Sequence, residues 1–301
     1  NEGWCNEMIV SCDTIIVNRG DFFVAHEDRI AMVSGMKSII LNTVKITAIM
    51  CGLGICSLSA DEGFKPIFDG ETLKGWKTAH SEGEGDWGPF RIDEKEKAIH
   101  VYKGEKQGSE QESDCLYTEK EYSKFILRME YKWLPKRFAP RVEADRDAGL
   151  LFHVHGDLKK VWPASMEMQI GETLGKELGG GKLFVGGRYH SGDMFVIGKG
   201  LGCKTTKTNN IYNPKGPLVP TSHCLTLLGV EKPKGEWNIM EIKVDGAKKA
   251  TFILNGEVVH EIYDLEKEVD VKKVPLDKGR IALQAEWAEL MYRKIEIKEL
   301  K

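Results

Sequence analysis

No Cys-x-x-Cys pair occurs anywhere in the 301 residues, although there are seven cysteines. The chain thus offers no framework for a structural zinc ribbon or a thioredoxin-type motif. An excess of one charge is missing too. The 43 Lys and Arg stand against 46 Asp and Glu, a net −3, which leaves no electrostatic footprint for nucleic acid or an anionic membrane. Only 10 prolines and 32 glycines without a period exclude a collagen and point to many turns. No apolar run is long enough for a comfortable membrane span. What remains, 30% charged and 41% hydrophobic residues, is a soluble globular composition.

The first sixty residues read differently from the rest. Residues 36–60 have the order of a secretory signal: Lys37 and Lys45, an apolar run from Ile46 to Ile55, then Ser57-Leu58-Ser59-Ala60 before Asp61-Glu62. The expected location is therefore periplasmic or extracellular, with no integral membrane span in the mature chain. Lipid attachment at Cys56 is disfavoured by bulky Ile55. Residues 1–35 are read as an upstream segment outside any domain, and 61–301 as the domain. Cys203 and Cys224 flank one Gly- and Pro-rich loop; they are either a disulfide pair or buried free thiols.

From Phe64 onward short β-rich segments alternate with turns. The best candidates are 98–102, 125–133, 149–155, 165–170, 193–197, 237–244, 249–254, 257–262, 279–284 and 291–299. Asn255-Gly256 between two of them is a strong hairpin signal, because a type I′ turn needs positive φ twice. About ten strands in roughly 240 residues indicate an all-β, two-sheet antiparallel sandwich.

Alternation assigns faces. Ser165, Glu167 and Gln169 oppose Met166, Met168 and Ile170. Gly149, Leu151, His153 and His155 oppose Leu150, Phe152 and Val154. Gln284 and Glu286 oppose Leu283 and Ala285, and Arg293 shares a face with Ile295 and Ile297. A sheet face bearing acids, amides and imidazoles is either solvated or lines a polar cleft. Trp162 and Trp287 lie beside these strands and can serve as platforms for a sugar ring or as core.

These segments carry a resemblance. Asp147-Ala148-Gly149-Leu150-Leu151-Phe152-His153-Val154-His155, Ser165–Ile170, Gly192-Asp193-Met194-Phe195, Gly235-Glu236-Trp237-Asn238 and Gly279–Glu286 with Tyr292-Arg293-Lys294-Ile295 occur in the order of one family. So does the opening Phe68-Asp69-Gly70…Leu73-Lys74-Gly75-Trp76. The chain resembles the 3-keto-disaccharide hydrolase domain family over about residues 64–300. That resemblance implies a jelly-roll sandwich of the concanavalin A-like lectin/glucanase type. It also implies cleavage of glycosides whose sugar carries a ketone at C3, by C2 proton abstraction, β-elimination and hydration.

On that basis Glu167 is the first choice for a catalytic or substrate-orienting carboxylate. His153 and His155 are acid/base candidates, and Arg293 the candidate for stabilising the enolate. Gln169, Gln284, Glu286, Asp193, Trp162 and Trp287 are expected to bind substrate. The sequence requires no cofactor, yet His153-x-His155 with Glu167 and Asp193 also has ligand chemistry for a divalent metal ion. Two departures stand out: a glycine-rich insertion over 173–191, and Lys294 where the closing motif often has Asn. The rival reading is a non-catalytic carbohydrate-binding module on the same face. No Glu-x-Asp-x-x-Glu strand supports an ordinary retaining endoglucanase.

Overall fold

A computed structural model describes residues 15–18, 21–26, 29–32, 63–80, 86–172, 190–226 and 230–301. The chain divides into two compact units, Asn1–Glu62 and Gly63–Lys301. In the first, β1 (Ile15–Asn18), β2 (Asp21–His26) and β3 (Arg29–Met32) form an antiparallel meander. The expected leader, 36–60, and most of the glycine-rich insertion, 173–189, lie outside the described residues.

The second unit is built from two antiparallel sheets, with no helix among the described residues. The smaller sheet uses β5 (Trp76–Thr78), β8 (Asp114–Thr118), β10 (Arg146–His155), β11 (Ala164–Glu172), β12 (Met194–Ile197), β16 (His223–Cys224) and β21 (Arg280–Ala285), in the order β16-β12-β11-β10-β21-β8-β5. The larger sheet holds β6 (Phe90–Asp93), β7 (Ala98–Val101), β9 (Lys124–Arg137), β13 (Leu201–Thr208), β14 (Ile211–Tyr212), β17 (Asn238–Asp245), β18 (Lys249–Leu254), β19 (Glu257–Val269) and β22 (Ala288–Glu299). Its order is β14-β13-β19-β18-β17-β9-β22-β7-β6, with β4 (Lys65–Pro66), β15 (Leu218–Thr221) and β20 (Lys272–Pro275) at its margins. This is the expected jelly-roll sandwich.

Period-two patterning places the core between the sheets. In β9, Phe125, Leu127, Met129, Tyr131 and Trp133 are buried while the residues between them are half-buried. From the smaller sheet come Phe152, Met166, Met168 and Ile170. Phe152 meets Phe252 of the larger sheet edge-on, with ring centroids 5.9 Å apart. Truncating either ring would cost about 3–5 kcal/mol. Asn255 and Gly256 have φ of 50° and 90°, as the hairpin turn requires. Cys115, Cys203 and Cys224 are buried free thiols, so the second reading of that pair is the one found.

The smaller sheet departs from the simple inside–outside pattern. Its central strands β10, β11 and β21 are buried on both faces. Ala79, Cys115, Leu151, Val154 and Ala282 make a small apolar cluster of their own. The smaller sheet's outer face is thus polar and buried at once, so the polar groups there must find partners within the protein or in a ligand.

Two bulges decide which side chains reach that face. In β10 the register with both neighbours shifts after Leu151–Phe152, and His153 has φ 51°. In β22 the register with β9 shifts between Arg293 and Glu296, and Lys294 has φ 49°. One extra residue reverses the parity of everything beyond it.

Candidate active site

Three uninterrupted strand segments build the site on the outer face of the smaller sheet. Register sets Gly149 opposite Gln169 and Leu151 opposite Glu167. Leu151 in turn faces Ala282, and Asp147 bridges Glu286. Antiparallel partners share a face, so Asp147, Gly149, Glu167, Gln169, Gln284 and Glu286 project together. All five side chains are nearly fully buried.

Hydrogen bonds organise them around one cation. Arg141, from the loop before β10, donates from one Nη to Asp147 Oδ2 at 2.8 Å and from the other to Glu286 Oε2 at 3.1 Å. Trp162 Nε1 donates to Glu286 Oε1 at 2.8 Å. Gln169 Nε2 donates to Asp147 Oδ1 and to the Ala148 carbonyl at 2.7 Å. Two carboxyl groups therefore share one guanidinium, and Glu167, the third on this face, takes no part in that pairing.

That imbalance sets the electrostatics. Burial, reinforced by the Asp147 charge, pushes the Glu286 carboxyl up to about 8 despite Trp162 and Arg141. Burial, then the charges of Glu286 and Asp147, raises Glu167 well above the usual carboxylate range. Asp147 is also raised by burial, with Arg141 opposing. A carboxyl group near 8 is poised to exchange protons around neutral pH.

Two tryptophans stand close together beside Glu286. Trp162 and Trp287 lie with ring centroids 6.3 Å apart and planes at 44°. Trp162 is 44% exposed, the state a sugar platform needs. Trp287 is half-buried, anchored by Nε1 on the Gln111 carbonyl at 2.7 Å, and the Arg141 guanidinium lies 5.6 Å above its ring.

Four expectations are corrected by placement. Beyond the β10 bulge His153 turns inward. Its Nε2 donates to the Gly246 carbonyl at 3.1 Å, its ring packs edge-on against Phe125, and burial lowers it to about 4. His155 is half-buried and its Nδ1 donates to the His153 carbonyl at 2.9 Å, a backbone contact at the strand end. Asp193 is fully buried and accepts from the Thr226 amide at 2.6 Å and the His190 amide at 2.9 Å. It closes a turn. Arg293 belongs to the larger sheet's outer face, where its Nε donates to Glu130 at 2.7 Å and its guanidinium lies 3.8 Å over Trp237.

The suggested metal set of His153, His155, Glu167 and Asp193 is thus not assembled. Among the described residues no group of three His, Cys, Asp or Glu could hold a metal ion.

Arg141 and Asp147 are the site residues that sequence reasoning missed. Asp147 had a signal, two positions before Gly149 in the same alternation. Arg141 lies in a loop, where periodicity is silent.

Residues 63–298 match the 3-keto-alpha-glucoside-1,2-lyase-like domain family. The chain belongs to that family. No curated protein matches it. Among solved structures, a proposed glycosyl hydrolase of Parabacteroides distasonis is 15% identical with a TM-score of 0.51, covering 82% of this chain and 99% of its own. It shares the fold. A second proposed glycosyl hydrolase of that organism is 20% identical (TM-score 0.46, covering 79% and 99%). A Bacillus licheniformis β-glucanase is 8% identical (TM-score 0.42, covering 79% and 97%).

Proposed function

We propose that this site cleaves glycosides whose sugar carries a ketone at C3. Family membership supports a carbohydrate-related function. The observation that carries the finer reading is the excess of buried carboxyl groups over one guanidinium, which raises Glu286 to where its carboxyl exchanges a proton near neutral pH and its ionised form is a stronger base than an ordinary carboxylate. A C3 ketone acidifies the C2 proton, and such a carboxylate can remove it. The C2–H electrons form the enolate. They then make the C1=C2 bond as the C1–O bond breaks, and the C1 substituent leaves as its alcohol. In net balance the C2 proton becomes the proton of that alcohol. Water adding across C1=C2 completes a hydrolysis.

Glu286 is the base in this reading. Arg141 holds it in place and limits how far its basicity rises. Gln169 fixes Asp147, and Trp162 offers its exposed face to the ring. The leader-like segment 36–60 supports work outside the cytoplasm.

The test is to incubate the protein with a 3-keto-glucoside and with its unoxidised parent in deuterated water. The keto sugar should be cleaved, giving the ultraviolet band of a conjugated enone or a hydrated product carrying deuterium at C2. The parent should be untouched. Cleavage of the parent at a similar rate would overturn the reading. The Trp162–Trp287 pair also favours a second reading, a non-catalytic sugar-binding module. Tight binding of both sugars without cleavage would select it.

A further inference from the structure

We infer that Glu167 and Gln284, folded over the side-chain-free Gly149, form a two-donor hole for a carbonyl oxygen that becomes an enolate. This rests on the keto-sugar reading above and adds to it the group that receives the developing charge. With Arg293 on the other sheet and Arg141 occupied by two carboxyl groups, that role is otherwise unfilled.

Gly149 sits on β10 between the strands that carry the two side chains. A Cβ there would lie 2.0 Å from Glu167 Oε1 and 2.3 Å from Gln284 Oε1. Both are far inside any real contact, so only glycine leaves room for the two side chains that lean over it. Burial and the neighbouring Glu286 and Asp147 charges favour the protonated form of Glu167, which gives it an O–H to donate, and Gln284 Nε2, without a partner among the described residues, is the second donor.

Partner accounting leads to the same place. Gln284 is 1% exposed, yet neither its Nε2 nor its Oε1 has a hydrogen-bond partner among the described residues. Each orphaned buried group costs about 1–3 kcal/mol. Glu167, 4% exposed, receives no hydrogen bond from the described residues, whereas its neighbours Asp147 and Glu286 take those of Arg141, Gln169 and Trp162. A neutral carboxylic acid and an amide N–H, both without partners, are the donors an incoming oxygen needs.

The chemistry also states what the hole selects. It offers hydrogen-bond donors to an uncharged C=O. A phosphate or carboxylate would bring a further negative charge beside the carboxyl groups of Asp147 and Glu286. A C3 hydroxyl accepts more weakly than a carbonyl becoming an enolate and brings no acidic C2 proton. Discrimination between ketone and alcohol then resides in Glu167 and Gln284, and proton removal in Glu286.

The probe is the 1,5-anhydro analogue of 3-keto-glucose labelled with ¹³C at C3, which lacks a leaving group. Bound to the wild type, its carbonyl resonance should move downfield of its position in water. Glu167→Gln, which keeps a donor, should keep most of that shift and lose at most about tenfold in turnover. Glu167→Met, Gln284→Leu and Gly149→Ala should each lose the shift and about 10²–10³-fold in turnover, with melting curves reporting whether each still folds. A bound probe with an unmoved carbonyl overturns the hole and leaves the keto-sugar reading standing. So does a Glu167→Gln variant that folds and is as inactive as Glu167→Met. A probe that does not bind overturns the keto-sugar reading, and this inference with it.

Discussion

The outer faces of the two sheets use the same residue types to opposite ends. On the larger sheet Glu130 accepts from Arg293 Nε and Lys294 Nζ, each at 2.7 Å. Glu96 takes Arg293 at 3.4 Å and Lys132 at 3.7 Å, and both cations lie over Trp237. Burial opposes ionisation of Glu130, yet the hydrogen bonds from Lys294 and Arg293 hold it below the ordinary range. On the smaller sheet three carboxyl groups stand against one guanidinium in near-complete burial, and all three are raised. A balanced array supports itself. An unbalanced buried one stores basicity, which is a cost to stability unless chemistry uses it.

The strongest way to break this contrast is to remove one glutamate from each face. Glu286→Gln should reduce turnover of a 3-keto-glucoside by about 10²–10⁴-fold, the usual share of a general base. Glu130→Gln should leave turnover unchanged and cost about 1 kcal/mol of stability, read in urea melts. Equal kinetic loss from both would erase the distinction.

Arginine offers the next test. Arg141→Met removes the cation that restrains the basicity of Glu286, so the limb on which activity rises with pH should move upward by about 1–3 units. Arg293→Met should leave that limb in place. A pH–rate profile unaffected by Arg141→Met would separate Glu286 from the base role.

How far the site was legible in the sequence turns on the two bulges. Where alternation runs unbroken, as in Glu167–Gln169 and Gln284–Glu286, period two predicts the shared face correctly. Where one residue takes φ near 50°, as at His153 and Lys294, the parity reverses. Counting through His153 puts it on the outer face, and the bulge turns it inward; Arg293, whose role the resemblance alone implied, lies in the other sheet, a partition that alternation does not report. Lysine is not a residue whose type announces positive φ, and histidine, though enriched there, is far more often found at negative φ. The ten strands were legible because each has its own alternating pattern and flanking turns. The edge strand β5 and the inner strand β13 were not: three residues of β5, and the Lys- and Thr-rich run of β13, hold too little periodicity to read. Burial of the polar face was likewise invisible, since composition does not say what covers a sheet.

The two faces should also fail at opposite ends of the pH scale. A carboxyl group raised in the folded protein holds its proton there more tightly than in the unfolded chain. Its contribution is fully present below the unfolded value and is lost as pH rises through the folded one. For Glu286 that window runs from the ordinary glutamate range to about 8, at up to about 1.4 kcal/mol per pH unit per group. Glu130 is lowered, so its contribution is present at neutral pH and is lost as pH falls through its folded value. Thermal melts should show Tm falling between pH 6 and 9 in the wild type and less so in Glu167→Gln. Glu130→Gln should flatten the acid side alone.

The smallest effect probes the closing motif itself. Lys294 occupies a left-handed backbone position with φ 49°, which costs a side chain with a full Cβ about 1–2 kcal/mol and costs asparagine less. The resemblance implies Asn at this position of the closing motif, and the bulge supplies a physical reason for it. Lys294 gives back a hydrogen-bonded ion pair with Glu130, but its side chain is 63% exposed, so that pair is worth about 0–1 kcal/mol. Lys294→Asn should therefore be neutral to slightly stabilising, with Tm rising by about 1–3 °C and turnover unchanged. A fall in Tm would show that the ion pair outweighs the backbone strain, making the balanced face stronger than its exposure suggests. A fall in turnover at unchanged Tm would return the larger sheet's face to the chemistry, and with it the role first expected of Arg293.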